Sequence, residues 1–555
     1  MRRILTSAEM FLCDRTEIET NTPSRTLMYR ASRACADVIR DRYNAHHADG
    51  SIIVLCGSGN NGGDGILCAR LLYEDGIPAM ICPAFGEGDT LSPECAYRYD
   101  EARAAGVPIL PADDFLTRSA DGTLQVCMTV DALFGIGLTR EVGGIYADLI
   151  DAANRYAASY RIPTVAIDIS SGIFADTGKV SMHTFRATHT LAINHAKRGH
   201  LFYPGASFTG ELSVLDIGIP DTVLSDRNDD FPVSQLTDDD VRAMLPHRQP
   251  DSNKGTNGRI LTVAGSKNMC GAAYLSALAA YRCGAGLVEI FTCEDNRIPL
   301  QTLLPEAILT TYDPADAEDA CNTLRTSLSR ASAIVIGPGL GTSDTAAALV
   351  KTVLAASEVP TVLDADALNI IASLHQPLVD ACEGGGTRSV TEGVTLSERG
   401  VTQSVTEGVP LSAESLPNRV PLIFTPHPGE LSRLTGIPVP VLLDDRIGHA
   451  QAFAKRNHII LNAKDTRSVI TDGTRAYINP TGTSALAKGG SGDVLTGITA
   501  ALAAQGCDAL TAAALAAYLH GRAAEVVSAQ MGVRSPLASE IANALGNVFE
   551  AFEIP

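Results

Sequence analysis

Three places along the 555-residue chain set carboxylates beside glycine-rich turns, and each could carry proton-transfer or phosphoryl chemistry. The first is Gly57-Ser58-Gly59-Asn60-Asn61-Gly62-Gly63-Asp64-Gly65, with five glycines in nine residues. Glycine lets backbone amides crowd against an anion, and the helix expected next would point its positive end there. The run lacks the G-x-G-x-x-G spacing of a dinucleotide loop and the lysine of a P-loop. Asn60, Asn61 and Asp64 nevertheless add polar groups that a packing turn does not need. The second place is a pair of strand-end acids: Asp131 opens DALFGIGLTRE and Asp168 opens DISSGIFADTG. One such acid is often only a helix cap, but two leading into glycine-rich loops point to the crevice at the carboxyl ends of parallel strands.

The third place is Asn479-Pro480-Thr481-Gly482-Thr483-Ser484, followed by Ala487-Lys488-Gly489-Gly490-Ser491-Gly492-Asp493. Gly489, Gly490 and Gly492 would form an amide-rich cradle for a phosphoryl group, with Asp493 in the first helical turn able to draw a proton from a hydroxyl. A glycine turn capped by an acid is the structural alternative. His427, between two prolines in Thr425-Pro426-His427-Pro428-Gly429-Glu430, leaves a strand end facing a ligand; taken alone it could equally be structural.

These residues need a parallel sheet covered by helices to position them, and apolar runs alternate with helical patterns throughout. In the first half the pattern predicts strands over 51–56, 77–82, 124–130, 164–168 and 187–193, and helices over 64–74 and 93–105. A second series predicts strands over 259–264, 287–292, 333–336, 361–363, 422–425 and 459–462. Its helices cover 272–283, 489–504, 509–530 and 536–552. The polar stretch 220–240 lacks periodicity and reads as the linker, giving domains over 1–225 and 241–555 joined by 226–240. Within the second domain, 381–419 repeats SVTEGV at Ser389 and Ser404, and reads as a tandem duplication in a mobile insertion.

Composition narrows the function classes. Forty-three Lys and Arg against 63 Asp and Glu give a net charge of -20, which disfavours nucleic acid and anionic membranes as partners. The absence of Trp argues against stacking platforms for single strands. Thirteen scattered Cys without a CxxC pair read as buried thiols in a reducing, cytoplasmic setting. No apolar run is long enough to span a bilayer, and no export signal opens the chain.

GSGNNGGDG, DALFGIGL and DISSGIFADTG resemble the signature of the NAD(P)H-hydrate epimerase domain, over roughly 1–221. The resemblance implies a Rossmann-like αβα sandwich. It places Asn60, Asn61, Gly62, Gly63 and Asp64 against the hydrated nucleotide, together with Asp168 and the loop Gly135, Ile136, Gly137, Leu138, Thr139, Arg140 and Glu141. It implies potassium at Asn61, Asp131 and Ser171, an oxygen-only set that suits a hard cation, and Asp168 as the acid–base group. The chain departs from the family at Ser170, usually Pro, and at Leu27-Met28-Tyr29-Arg30-Ala31-Ser32, usually Leu-Met-Glu-Asn-Ala-Gly.

The second half resembles the ribokinase-like superfamily, and within it the NAD(P)H-hydrate dehydratase branch. Gly337-Pro338-Gly339-Leu340-Gly341, Asp364-Ala365-Asp366-Ala367-Leu368-Asn369, the His427 motif and the Gly492-Asp493 motif carry the likeness. The resemblance implies Gly341, His427 and Asp493 at the substrate, with Asp493 as catalytic base. Adenine-nucleotide contacts fall on Lys464, Asp465, Thr466, Arg467 and Ser468, and on Gly489, Gly490, Ser491 and Gly492. Asp364 and Asp366 are expected to help place magnesium or phosphate, and Asn369 to cap its helix. The implied activity is isomerase plus lyase. Epimerisation at C6 of NADH-hydrate and NADPH-hydrate would feed an ADP-dependent dehydration of the S epimer that yields AMP and phosphate, in a homo-oligomer. The alternative is a kinase of a small vitamin precursor joined to a non-catalytic binding or scaffold domain.

Overall fold

Along Ser51–Cys56 the side chains alternate between two cores: Ile52, Val54 and Cys56 enter one, Ile53 and Leu55 the other. A strand buried on both faces must be covered on both faces. Helices Ser24–His46, Asn60–Glu74 and Pro93–Ala104 cover the first, and Ala112–Asp121 and Ile145–Tyr160 the second. This computed structural model describes residues 1–46, 50–220, 233–383 and 420–552. The chain divides into two compact units, Arg2–Asp230 and Phe231–Pro555, the latter grouped with Met1.

The first unit's sheet runs in the order Ala79–Pro83, Ser51–Cys56, Val126–Ala132, Thr164–Ile167, His189–Ile193, Glu211–Leu215, all parallel. The short strand Arg2–Leu5 pairs with Ala196–Lys197, setting Leu5 opposite Lys197. Helix Ser7–Thr20 starts at a capping box in which Thr6 accepts from Glu9 N–H and Glu9 reaches back to Thr6. Cys35, Cys56, Cys68, Cys82 and Cys95 lie buried in this unit's core, and no disulfide forms among the described residues.

In the second unit Ile308–Tyr312, Leu287–Cys293, Arg259–Val263, Ala333–Ile336, Thr361–Leu363, Leu422–Phe424 and Ile460–Ala463 follow one another in parallel. Val469–Thr471 and Ala476–Ile478 then turn antiparallel, and Val233–Gln235 lies parallel to the latter. Small residues let Cys270–Arg282, Ser491–Ala504 and Ala509–Met531 pack closely on one face. Gly497 shows how closely, since a Cβ there would stand 2.1 Å from the Ser276 carbonyl oxygen.

Several expectations shift. The helix after the glycine run begins at Asn60 rather than 64, because Gly59 is its extended N-cap. The strand expected over 124–130 is Val126–Ala132, so Asp131 belongs to its last turn of pairing, opposite Leu55. Within the expected linker, Val233–Gln235 is a strand and Asp238–Met244 a helix capped by Thr237, a local signal outweighed by overall polarity. The single helix expected over 536–552 is two, Ala538–Asn543 and Leu545–Phe552, with Asn543 and Gly546, both poor helix formers, flanking the break. The repeated SVTEGV segment lies outside the described residues. No helix among the described residues is long and apolar enough to cross a membrane.

Candidate active sites

In the first unit the strand ends open into a cavity of about 770 Å³. Asn60, Asn61, Asp64, the loop from Gly135 to Arg140, and Asp168 all line it, as expected, and so do Asp14 and Lys197, which the motifs did not point to. Asp168 follows Thr164–Ile167 and adopts φ +65°, a left-handed conformation that Asp tolerates better than most residues. Its Oδ1 accepts from Lys197 Nζ at 2.5 Å and from Ile193 N–H at 3.2 Å. Behind it, His200 Nδ1 accepts from Lys197 N–H at 3.0 Å, so Nε2 carries the proton donated to the Asp168 carbonyl at 2.9 Å. Burial and the nearby Lys197 push this imidazole down to about 4, keeping it neutral.

Burial sets the other acids apart. It raises Asp14 to about 6, against the pull of Lys197 and with help from the Asp168 charge. Asp64 is held well above the ordinary carboxylate range, by burial first and then by Asp168. Both departures from the family motif are accommodated here. Ser32 donates to Asp64 Oδ1 at 3.3 Å, and Ser170 donates to the Phe208 carbonyl at 3.0 Å.

Three of the expected contacts stand elsewhere. Gly62 and Gly63 face inward and serve packing: a Cβ on Gly62 would come within 1.8 Å of the Gly57 carbonyl oxygen. Glu141 turns away to accept from Ser181 Oγ at 2.7 Å and Met182 N–H at 3.2 Å. Asn61, Asp131 and Ser171 do converge, around the backbone of Phe134. Asn61 Nδ2 donates to its carbonyl at 3.0 Å, and its N–H donates to Ser171 Oγ at 2.9 Å. Asp131 Oδ1 accepts from Ser171 Oγ at 2.7 Å and Leu133 N–H at 3.1 Å, and Oδ2 from Ser171 N–H at 2.7 Å. Burial still raises Asp131 to about 6.

In the second unit Gly490 (φ +95°) is the N-cap of Ser491–Ala504 and turns the chain so that Asp493 lies in the first turn. Burial, then the Asp364 charge, push Asp493 up to about 7. Asp364 leaves the end of Thr361–Leu363 and accepts from Lys464 Nζ at 2.6 Å and Thr425 Oγ1 at 2.9 Å. Gly492 lies over this ion pair: a Cβ there would stand 3.2 Å from Lys464 Nζ and 3.4 Å from Asp364 Oδ2. Gly489 is exposed, and Ser491 Oγ is buried without a protein hydrogen bond.

Asp366 Oδ2 accepts from Gly341 N–H at 2.8 Å and so holds the glycine loop. Asn369 is no cap; it sits inside Asp366–Glu383 and accepts from Arg433 Nε at 3.0 Å. His427 is the N-cap of Pro428–Thr435, its Nδ1 accepting from Gly429 N–H at 3.0 Å, while the half-exposed ring leaves Nε2 facing outward beside Glu430. Lys464 N–H donates to the Pro426 carbonyl at 2.9 Å, tying that loop to the next strand end. Of the expected nucleotide contacts, Lys464 is spent on Asp364, Asp465 pairs with Arg446 at 3.4 Å, and Arg467 donates to the Pro480 carbonyl at 2.7 Å. Thr466 is exposed and Ser468 half-buried.

Asp14 and Lys197 could have been found only indirectly. The Thr6–Glu9 capping box marks the helix that carries Asp14, whereas the burial of Lys197 depends on a strand pairing that its neighbours do not announce.

The family model for the YjeF-related protein N-terminus matches residues 24–199, and that for NAD(P)H-hydrate dehydratase matches 260–383 and 410–547. The bifunctional NAD(P)H-hydrate repair enzyme Nnr of Moorella thermoacetica is 34% identical over 99% of this chain and 97% of its own length. The enzyme of that name from Escherichia coli is 32% identical over 94% of this chain and 89% of its own. Among solved structures, the ADP/ATP-dependent NAD(P)H-hydrate dehydratase of Bacillus subtilis, co-crystallized with ATP/Mg2+, is 32% identical. It covers 58% of this chain and 99% of its own, with a TM-score of 0.45. With both domains matched in order and full-length relatives above 30% identity, this chain belongs to the family of bifunctional NAD(P)H-hydrate repair enzymes.

Proposed function

We propose that the first unit interconverts (R)- and (S)-NAD(P)H-hydrate at C6 and that the second returns the S epimer to NADH or NADPH at the expense of ADP. The observation that carries this reading is the pairing, in one chain, of two separate proton-transfer centres. One is an Asp168 carboxylate fixed by a buried lysine; the other is Asp493, poised near 7 at the mouth of a glycine cradle.

In the dehydratase, hydroxide is a poor leaving group and phosphate a good one. Asp493 takes the proton of the C6 hydroxyl as its oxygen attacks the terminal phosphoryl of ADP, releasing AMP. The amides from Gly489 to Gly492 face the transferring group. The ring nitrogen then expels phosphate, and loss of the C5 proton restores the reduced nicotinamide. Gly341, steadied by Asp366, and the outward edge of His427 border the substrate. Asp364 is already committed to Lys464 and Thr425, so the described side chains do not form a dedicated cage for magnesium. That suits an ion arriving on the nucleotide phosphates with its own waters, where it would offset phosphate charge.

In the epimerase, Asn60, Asp64 and the loop from Gly135 to Arg140 would hold the hydrated nucleotide, with Asp168 moving a proton at the C6 oxygen. Asn61 and Ser171 meet at the Phe134 peptide and Asp131 is bonded to Ser171, an oxygen-bearing set that fits potassium; bound there, the ion would supply positive charge behind the substrate loop. The chemistry is assigned to domains over 1–225 and 241–555.

The test offers the enzyme both epimers with magnesium, potassium and ADP, following nicotinamide absorbance, AMP and phosphate release. Complete conversion faster than spontaneous epimerisation is expected. A stable phosphorylated product without phosphate release would overturn the dehydratase, and residual R epimer would overturn the epimerase.

A further inference from the structure

The epimerase reading leaves one chemical demand unmet. Inverting C6 through loss of water requires a proton delivered to the departing oxygen on one face and taken from the arriving water on the other. A single carboxylate fixed by a lysine serves one face. The cavity is lined by three further acids, Asp14, Glu19 and Asp64. Asp64, on the glycine-run helix, is engaged by Ser32. Asp14 comes from a different element, helix Ser7–Thr20, and shares with Asp168 the influence of the buried Lys197. Glu19, by contrast, is exposed and paired with Arg15 at 2.7 Å.

We propose that Asp14 is the second proton-transfer residue of the epimerase, acting on the C6 oxygen at one ring face while Asp168 acts at the other. This rests on the epimerase reading given above. The Asp14 carboxyl gives its proton to the C6 hydroxyl, the C6–O bond breaks, and water leaves with the bonding pair. The N1 lone pair closes an N1=C6 cation. A water on the opposite face then forms the new C6–O bond and gives its extra proton to the Asp168 carboxylate. Asp14 ends one proton short and Asp168 one proton richer; exchange with solvent, or a turnover of the opposite epimer, resets both. The surroundings agree: Lys197 Nζ donates to Asp168, while burial, helped by the Asp168 charge, raises Asp14 to about 6 and lets it hold a proton, a division of labour typical of paired acids.

The two-face assignment predicts an isotope pattern. In 18O-labelled water the wild-type enzyme labels both epimers. Asp14→Asn should slow epimerisation on the order of 10²- to 10⁴-fold, yet still admit 18O into one epimer with retention, through Asp168. Asp168→Asn should admit it into the other epimer only, and Asp14→Glu should recover part of the inversion. Thermal melting checks that each variant is folded. Wild-type inversion rates in Asp14→Asn would overturn the assignment. So would equal loss of label from both epimers with a raised KM, the same labelled epimer in both variants, or this pattern in Asp64→Asn instead. If the wild-type enzyme neither inverts nor labels, the epimerase reading itself fails, a distinct result.

Discussion

Asp493 is raised because its charge would be buried beside Asp364, and Lys464 opposes that rise. As the base it must be ionised, so the dehydration rate should climb with pH through about 7 and level off above. The same shift has a stability cost of opposite sense. The folded chain binds this proton more tightly than the unfolded chain, whose value is near 3.8, so Asp493 favours unfolding increasingly as pH rises from there to about 7. Asp493→Asn should lower dehydration by about 10²- to 10⁴-fold and flatten the acid limb. Lys464→Met removes the opposing cation: the acid limb should move to higher pH. The stranded Asp364, only 2% exposed, should cost about 3–5 kcal/mol, measured by denaturant unfolding of the second unit.

At the scale of elements, the loop from Asn479 to Ser484 is held by the helix Ala509–Met531. Thr481 Oγ1 donates to the Tyr518 carbonyl at 2.8 Å, Gly482 N–H donates to Glu525 Oε1 at 2.8 Å, and Asn479 Nδ2 donates to the Ala517 carbonyl at 3.1 Å. Gly521 makes the close approach possible, since a Cβ there would stand 2.1 Å from Thr481 Oγ1. Gly521→Ala should therefore push the loop off its helix and raise the KM for ADP several-fold, while inversion by the first unit is unchanged.

Central strands such as 51–56, 333–336 and 361–363 were legible to the residue, because strands buried on both faces read as uninterrupted apolar runs. Short amphipathic pieces at the edges, such as Val233–Gln235, were hidden by the charge around them. The glycine loops and strand-end acids announced themselves by type and spacing. What could not be read was which carboxylates the fold would neutralise. The Lys197–Asp168 and Lys464–Asp364 pairs join residues 29 and 100 positions apart, and only tertiary packing brings them together.

At the scale of the molecule, the first cavity is lined by residues no later than Ile217, and the groups around Asp493, from Ser266 beside Gly341 and Leu275 beside Gly490 onward, belong to the second unit. Among the described residues, each site thus draws its groups from its own unit. Mixing Asp168→Asn chains with Asp493→Asn chains should restore full conversion of both epimers, with each activity scaling with the concentration of the chain that supplies it. A coupled assay across mixing ratios would show this; a mixture that leaves the R epimer behind would contradict it.

The cysteines buried in these cores carry one more consequence. Burial pushes Cys82 to about 12 and Cys95 to about 11, and holds Cys56 and Cys283 well above the ordinary thiol range. A peroxide or an alkylating agent attacks the thiolate, and here almost none is available to it. Brief treatment of the native enzyme with iodoacetamide should modify the partly exposed Cys270 and Cys321 first among the described residues, as peptide mass spectrometry would show, with both activities preserved. A catalyst that rescues damaged metabolites thereby keeps the thiols of its cores out of reach of the oxidants that would attack exposed ones.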